Sequence, residues 1–583
     1  MKILRNKLTK NSTNLENNLL KIIKIAIIVF ISFSVLVHFI PFFEGSNSYH
    51  YGIASILLVE EGITKSNPLW EKYETDEFLV ENWLLTDQNE MIPMSGKGLI
   101  ALGGIAYVFG GYFGLYYLSP ILFMILLVVS ERIATNLFGK YAGLITLILL
   151  STSNLLFRNS IQFHTESLFC LLFVLGAYFL IKFGRNNQSY LILIASAFFA
   201  FSSTVRLSGI ILFPIEFFIL TIFIINNYLK TKKIKNEENM KNINKKIISL
   251  AIIPWIVFFL IFAYGNIITT GEPFVTYGTL NAGHNEVFES SPSALITFEQ
   301  IDFENIKQYS KYLLPYIFAG AFNNIDNNFE NILGEHWIGL IPLIILSLIF
   351  ISSYKLKKKK LELFVMILLI FGTVWVYSSI TSEKLGEIGV PGRYVLPAFV
   401  LSSMIFGYAI EQIFSKIRKK NGLKPKILQL SLVSVLLVFV IISFNFTPAI
   451  TMLEQDNYFK NPFDYEREFP LKENGINEKS ILVTAMGSRA LEYNLIPFNP
   501  TSNQIITNES IESLNLLVKD YDVFVFKTPY SNNTIKTISE LEKKGFVFMD
   551  YSENFCSLQT DSELLKSYEK CVFNEPIRNP NKN

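Results

Sequence analysis

The chain has 583 residues, of which 50% are hydrophobic and 14% aromatic. This composition excludes an ordinary soluble enzyme and indicates a membrane protein with many helices. The formal net charge of +2 identifies no partner, because basic and acidic residues lie in different segments of the chain. The sequence has no glycine-rich nucleotide motif and no Cys/His metal spacing, so we expect no cofactor and no nucleic-acid partner.

Long apolar runs predict eleven transmembrane helices after a basic N-terminal segment, residues 1–22, that has no cleavage site. The predicted spans are 23–43, 113–131, 141–157, 167–183, 189–204, 207–227, 248–268, 337–354, 361–380, 394–415 and 427–446. The apolar segment 97–111 is not counted, because 15 residues with five glycines are too short to cross a bilayer. With the N-terminus inside, every lysine-rich loop then falls on the cytoplasmic side, as the positive-inside rule requires.

This topology predicts three parts: a cytoplasmic N-terminus at 1–22, a transmembrane domain at 23–446, and an extracytoplasmic domain at 447–583. The transmembrane domain carries two long outer loops, 44–112 and 269–336. In the last segment, strand patterns at 481–484 and 522–526 and helical patterns at 509–519 and 535–544 predict a small α/β domain. Its Cys556 and Cys571 form either an extracytoplasmic disulfide or two separate thiols.

The first outer loop offers two features for binding at the membrane surface. Residues 45–54 open a helix that we expect at the membrane interface and that carries Tyr49 and His50. Lys97 begins the glycine-rich helix, where backbone amides and an ammonium group favour a phosphate. The alternative for Lys97 is an interfacial lysine whose ammonium reaches back to water.

Further ionisable residues lie at the outer ends of the predicted spans. Glu166 follows His164 just before the fourth span, at a depth where charges are costly and mark function. Arg206 lies between two apolar runs, so we expect it to pair with an anion or with a carboxylate such as Glu166. Arg393 begins a span on the outer face, where an anionic partner would explain a cation. Such cations suit a lipid phosphate, and the carboxylates suit activation of an acceptor.

The order of these features resembles the GT-C membrane glycosyltransferases, in particular the broad family of protein O-mannosyltransferases and lipid A aminoarabinose transferase. The resemblance covers about residues 20–450. The similar segments are Lys97-Gly-Leu-Ile-Ala-Leu to Phe109-Gly110, His164-Thr-Glu166, Tyr264-Gly-Asn to Tyr277, and Arg393-Tyr-Val-Leu-Pro397. The Trp-Trp-Asp-Tyr-Gly block of oligosaccharyltransferases is absent, which disfavours transfer of a preassembled glycan.

The resemblance implies a GT-C-like polytopic helical fold and an inverting glycosyltransferase at the cell membrane. Its donor would be a polyprenyl- or dolichyl-phosphate-linked monosaccharide, and its acceptor a protein or a lipid-linked glycan on the outer face. The implied donor-phosphate ligands are Lys97, Arg206 and Arg393, and the implied substrate contacts are Tyr49, His50, His164 and Tyr394. A divalent metal is compatible with the carboxylates but is not implied.

The catalytic base is the position where the chain departs from the family. Ser46-Asn47 stands where the family carries an aspartate, so the base would be Glu44 or Glu166. The departure also leaves open a catalytically silent protein or a transporter of lipid-linked saccharides on the same scaffold. A transporter should show charged or Gly/Pro-broken positions at mid-membrane in paired halves, and none is apparent.

Overall fold

The structure is a computed structural model, and its described residues form two compact units. The described residues are 18, 20–35, 46–60, 62, 65–66, 83–85, 90–93, 97–151, 153, 156–157, 159–231, 237–270, 359–380, 396–418, 480–483, 496–498, 508–526, 532–550, 555–559 and 570–572. The first unit comprises Met1–Ile40, Leu115–Tyr264 and Asn285–Asp456. The second unit comprises Pro41–Gly114, Gly265–His284 and Asn457–Asn583.

Helices dominate the described chain, because a helix satisfies its own backbone hydrogen bonds where water is absent. We number the helices α1 (20–35), α2 (Ser46–Glu60), α3 (Lys97–Phe138), α4 (Lys140–Ser151), α5 (Thr165–Asn186), α6 (Ser189–Val205), α7 (Leu212–Thr231), α8 (Glu237–Thr270), α9 (Lys360–Ile380), α10 (Leu396–Arg418), α11 (Asn508–Asp520) and α12 (Asn532–Lys543). A 3₁₀ segment, Leu207–Ile211, joins α6 to α7.

Four of the described helices are long and apolar enough to cross a membrane: Lys97–Phe138, Thr165–Asn186, Asn244–Gly265 and Leu396–Ser415. Shorter apolar helices cover Tyr51–Glu60, Lys140–Ser151, Ser189–Val205 and Gly209–Ile225. Nine of the eleven predicted spans fall wholly or partly on described helices. The other two, 337–354 and 427–446, lie outside the described residues, so the number of spans and their sidedness stay predictions.

Helix α3 is broken at Gly111, whose φ of 56° and ψ of −146° are not helical. Glycine adopts a positive φ at little cost because it has no Cβ atom. The break separates residues 97–110 from 112–138, at the boundary that the sequence predicts between the short segment 97–111 and the span at 113–131. That residues 97–110 do not cross the membrane stays a prediction.

Small residues bring the helices of the first unit into close contact, as in other membrane bundles. A Cβ atom added at Gly176 of α5 would lie 2.5 Å from the ring of Phe199 on α6. A Cβ atom added at Gly407 of α10 would lie 2.5 Å from the carbonyl oxygen of Ala142 on α4. These glycines therefore set the spacing of two helix pairs.

Ion pairs and a helix cap join helix ends that the topology places on the cytoplasmic side. Lys24 of α1 pairs with Glu131 of α3, and Arg185 of α5 pairs with Glu362 of α9. Oε2 of Glu411 on α10 accepts hydrogen bonds from the first backbone amides of α4, at 2.8 and 3.3 Å. Each contact joins ends that are predicted on the same side of the membrane.

In the second unit, α2 presents its apolar face to the protein. Ile53, Ile56 and Leu57 are buried, whereas Val59 is 42% exposed. A Cβ atom added at Gly104 of α3 would lie 3.3 Å from Cγ2 of Val59, so glycine permits a close approach of these helices. The three buried side chains are therefore enclosed by protein atoms, and the location of this helix at the membrane interface stays a prediction. A three-stranded antiparallel sheet lies in the same unit, in the order β1 (Lys65–Ser66), β3 (Glu90–Pro93) and β2 (Trp83–Leu85).

The C-terminal part of the second unit contains a five-stranded mixed sheet with α11 and α12. Its strands are β4 (Ile481–Val483), β5 (Ile496–Phe498), β6 (Val523–Phe526), β7 (Val547–Asp550) and β8 (Phe555–Gln559), in the order β5-β4-β6-β8-β7. Strand β4 pairs in parallel with β5 and β6, and β8 runs antiparallel between β6 and β7. Cys556 of β8 forms a disulfide with Cys571, which removes the alternative of two separate thiols. The predicted boundary of this domain at residue 447 lies outside the described residues.

Candidate functional site

The candidate site in the first unit is built around an ion pair between Glu166 and Arg206. Nη1 of Arg206 donates to Oε1 of Glu166 at 3.1 Å, and the two side chains are 13% and 1% exposed. Glu166 lies in the first turn of α5, where the helix dipole favours a carboxylate. The structure thus confirms the predicted pairing of Arg206 with this carboxylate.

The backbone holds Arg206 at the tip of the hairpin formed by α6 and α7. Its φ of −140° and ψ of 123° end α6 before the 3₁₀ segment begins. The amide of Arg206 donates to the carbonyl of Ser202 at 3.0 Å, and its carbonyl accepts from the amide of Gly209 at 2.8 Å. A Cβ atom at Gly209 would lie 3.0 Å from Cα of Ser203, so the tip is tightly packed.

A buried polar shell surrounds the start of α5. The amide of His164 donates to Oγ of Ser119 at 3.2 Å, which ties the segment before α5 to α3. The ring nitrogen Nε2 of His164 lies 2.8 Å from Oε1 of Gln162, and the hydroxyls of Ser160 and Ser167 lie 2.8 Å apart. These bonds fix the segment that carries Glu166, and His164, a predicted substrate contact, lies two residues before Glu166 in this segment.

Of the other predicted site residues, only Lys97 has a described side chain. Glu44, Arg393 and Tyr394 lie outside the described residues. Tyr49 and His50 belong to α2, but their side chains are not among those described. Lys97 begins α3, is half-buried and belongs to the second unit. The convergence of Lys97 and Arg393 with Arg206 on one cavity therefore stays a prediction.

The sequence analysis missed one buried carboxyl group in the first unit. Glu216 of α7 is fully buried, and its carboxyl oxygens lie 2.5 Å from Oγ of Ser196 and 2.9 Å from Nε1 of Trp255. The search for charged mid-membrane positions in paired halves did not consider this residue, which lies inside the predicted span 207–227. The available signal was a single acidic residue in the middle of an apolar run, which marks a function in many membrane proteins.

Metal ligands do not cluster in the part of the chain that the structure describes. No three His, Cys, Asp or Glu side chains there lie close enough together to hold a metal ion. Because Glu44 is outside the described residues, the expectation that the protein needs no resident metal stays a prediction.

The sequence matches no protein-family model and no curated protein, whereas the fold matches solved structures. One is the archaeal oligosaccharyltransferase AglB from Archaeoglobus fulgidus in complex with an inhibitory peptide and a dolichol-phosphate. It is 12% identical, with a TM-score of 0.53 over 93% of this chain and 75% of that chain.

ArnT from Cupriavidus metallidurans gives a similar result. In the apo state it is 11% identical, with a TM-score of 0.53 over 93% of this chain and 98% of that chain. Bound to undecaprenyl phosphate it has a TM-score of 0.52 at 11% identity and the same coverage. At such low identity the likeness establishes the fold alone. The chain therefore has the fold of the GT-C membrane glycosyltransferases, as its sequence motifs predicted.

Proposed function

We propose that the protein is an inverting glycosyltransferase that moves a monosaccharide from a polyprenyl- or dolichyl-phosphate donor to an acceptor on the outer face. The observation that carries this proposal is the buried Glu166–Arg206 pair at the predicted outer end of a GT-C-fold bundle. A planar guanidinium suits bidentate recognition of a phosphate group. Solved structures of this fold contain a dolichol-phosphate in AglB and undecaprenyl phosphate in ArnT, which supports a lipid-phosphate donor.

In the proposed reaction, a hydroxyl or amine of the acceptor attacks the anomeric carbon of the donor sugar. The bond between that carbon and the phosphate oxygen breaks as the new bond forms on the opposite side, which inverts the configuration. Arg206, with Lys97 and Arg393, stabilises the negative charge that grows on the departing lipid phosphate. A carboxylate takes the proton that the acceptor loses.

The geometry of Glu166 favours Glu44 as that carboxylate. Glu166 is 1% exposed and paired with Arg206, so taking up a proton would break a buried ion pair. We therefore assign Glu166 to holding the guanidinium and Glu44 to accepting the proton. His164, Tyr49, His50 and Tyr394 remain the proposed contacts to the sugar and the acceptor.

The acceptor and the location complete the proposal. One structure of the Archaeoglobus fulgidus oligosaccharyltransferase is tethered with an acceptor peptide, which supports a protein as the acceptor. A lipid-linked glycan is the other proposed acceptor. A disulfide between Cys556 and Cys571 supports an extracytoplasmic C-terminal segment, since such bonds persist in oxidising compartments. The proposed location is the cell membrane, with the N-terminus in the cytoplasm and lipid around the helices.

The test is a transfer assay with purified protein in lipid nanodiscs. The protein is incubated with several radiolabelled polyprenyl-phosphate sugars and candidate acceptors, and donor binding is measured separately. Glu44→Gln should lose turnover and keep donor binding, whereas Glu166→Gln should weaken donor binding. Normal donor binding in Glu166→Gln, with turnover lost there and kept in Glu44→Gln, would instead make Glu166 the base.

The alternative function is a transporter of lipid-linked saccharides on the same fold. The buried Glu216 favours it, because ionisable groups inside a bundle also occur in transporters. Donor binding without transfer to any acceptor, together with movement of the donor between leaflets of a vesicle, would support this alternative and contradict the transferase.

A further inference from the structure

Three helices of the first unit meet at the carboxyl group of Glu216. Its Oε1 lies 2.5 Å from Oγ of Ser196 on α6, and its Oε2 accepts a hydrogen bond from Nε1 of Trp255 on α8 at 2.9 Å. Glu216 and Ser196 are 0% exposed and Trp255 is 1% exposed. Among the residues that the structure describes, no lysine or arginine nitrogen forms an ion pair with Glu216. We call these three residues the carboxyl clasp.

The hydrogen-bonding groups of the clasp accommodate a neutral Glu216. Oγ of Ser196 also lies 2.9 Å from the carbonyl oxygen of Ile192, which only accepts hydrogen bonds. A serine hydroxyl has one hydrogen, which it donates either to Glu216 or to Ile192, and in the second case the hydrogen between Ser196 and Glu216 comes from the carboxyl group. A neutral carboxylic acid supplies it and still accepts from Trp255 through its other oxygen.

The surroundings favour this neutral form. Phe213 of α7 packs edge-on against Trp255 with ring centroids 5.2 Å apart, and Phe258 packs against the same indole at 6.0 Å. An unpaired carboxylate among such apolar groups in a membrane would be costly. A neutral acid with both oxygens bonded leaves no charge and no unsatisfied polar atom in the clasp.

The clasp lies at matching positions on the two arms of the hairpin that carries Arg206. Ser196 is ten residues before Arg206, and Glu216 is ten residues after it. The α6 arm rises about 15 Å from Ser196 to Arg206, and the other arm, partly 3₁₀, rises about 17 Å. The Ser196–Glu216 hydrogen bond therefore joins the two arms at similar distances from Arg206, and the bond from Trp255 joins the hairpin to α8.

We propose that Glu216 is a neutral carboxylic acid that positions Arg206. It does so by joining α6 to α7 within the hairpin and by joining the hairpin to α8. Arg206 then meets Glu166 and the donor phosphate in a fixed orientation. The part of this proposal that concerns the phosphate rests on the proposed function, whereas the protonation state of Glu216 does not.

The protonation state is measured by infrared spectroscopy on the full-length protein in nanodiscs. The spectrum of the wild type minus that of Glu216→Gln should contain the carbonyl stretching band of a protonated carboxylic acid. A difference spectrum with carboxylate bands in its place would overturn the assignment. This result does not depend on donor, acceptor or turnover.

The positioning role is measured as affinity for undecaprenyl phosphate. Glu216→Ala should bind it roughly tenfold more weakly, because Ser196 and Trp255 lose their partner and the hairpin loosens. Glu216→Gln should bind within about twofold of the wild type, since its amide donates to Ser196 and accepts from Trp255. The matched control is Thr221→Ala on the same helix, whose hydroxyl bonds only within α7, to Phe217, among the contacts described. Its affinity should be unchanged.

A second background separates positioning from general loss of structure. In Arg206→Ala, binding should already be weak, and adding Glu216→Ala should weaken it no further, because Glu216 acts through Arg206. Additive losses, or an unchanged affinity in Glu216→Ala, would overturn the positioning role. An Arg206→Ala variant with normal affinity would contradict the phosphate site of the proposed function, and the infrared spectrum alone would then decide the state of Glu216.

Discussion

Removing one partner of the Glu166–Arg206 pair should destabilise the first unit more than removing both. In Glu166→Gln, the guanidinium of Arg206 stays only 13% exposed and loses the carboxylate of Glu166. Breaking a buried ion pair from one side costs about 3–5 kcal/mol, and we expect the lower end because glutamine keeps a hydrogen-bond acceptor. In Glu166→Gln/Arg206→Gln both charges of the pair are removed together, so we expect a loss of about 1 kcal/mol or less relative to the wild type.

Cys170 provides the assay. It lies on α5 one turn after Glu166, is 0% exposed and is the free cysteine of the structure. A thiol-reactive fluorophore therefore reports the temperature at which this helix opens. Glu166→Gln and Arg206→Gln should each open at a lower temperature than the double variant. The control is Thr204→Ala, which removes an exposed hydroxyl that donates to the carbonyl of Phe201 within α6. It should match the wild type.

The order of these midpoints tests whether Glu166 and Arg206 act as a pair. If the double variant opens at the lowest temperature, and the two losses add to within about 0.5 kcal/mol, the residues act independently. Glu166 and Arg206 would then not form the buried pair on which the candidate site depends.

The remaining predictions concern packing, covalent structure and metals. Gly139 has a φ of +126°, and a Cβ atom there would lie 2.7 Å from Cδ of Glu411. Gly139→Ala should therefore lower the free energy of unfolding by about 2 kcal/mol or more, whereas Gly110→Ala should lower it less. Equal thermal midpoints of the two variants would contradict this. Cys556→Ser removes the disulfide to Cys571, which spans 15 residues of sequence, and should lower stability by about 3 kcal/mol, measured as faster proteolysis of the C-terminal segment. Three reactive thiols in the denatured, unreduced wild type would contradict the disulfide. Chelation with EDTA should leave transfer unchanged, and restoration of lost activity by a divalent ion would show that a metal is required.

Hydrophobic runs made the membrane helices predictable from sequence. Each run is a local property, so α5, α6, α9 and α10 lie within a few residues of their predicted positions, whereas α8 begins at Glu237, well before residue 248, where its span was predicted to begin. The Glu166–Arg206 pair was also predictable, because a cation and an acid at the ends of neighbouring helices, both predicted on the outer face, have few other partners.

Contacts between distant segments were not predictable from one sequence. Lys24 and Glu131 are 107 residues apart, and Trp255 and Glu216 are 39 residues apart. No periodicity links such positions, since each depends on which helices become neighbours in the bundle. Glu216 was therefore read as part of an apolar run, although its carboxyl group joins three helices.

The proposed reaction transfers a sugar from a lipid phosphate with the help of Arg206. The most direct measurement is a single-turnover reaction with purified protein and a doubly labelled polyprenyl-phosphate sugar. We expect equal amounts of glycosylated acceptor and released polyprenyl phosphate, an inverted anomeric configuration, and a strong loss of product in Arg206→Gln. Release of polyprenyl phosphate with retained configuration, or full turnover in Arg206→Gln, would contradict it.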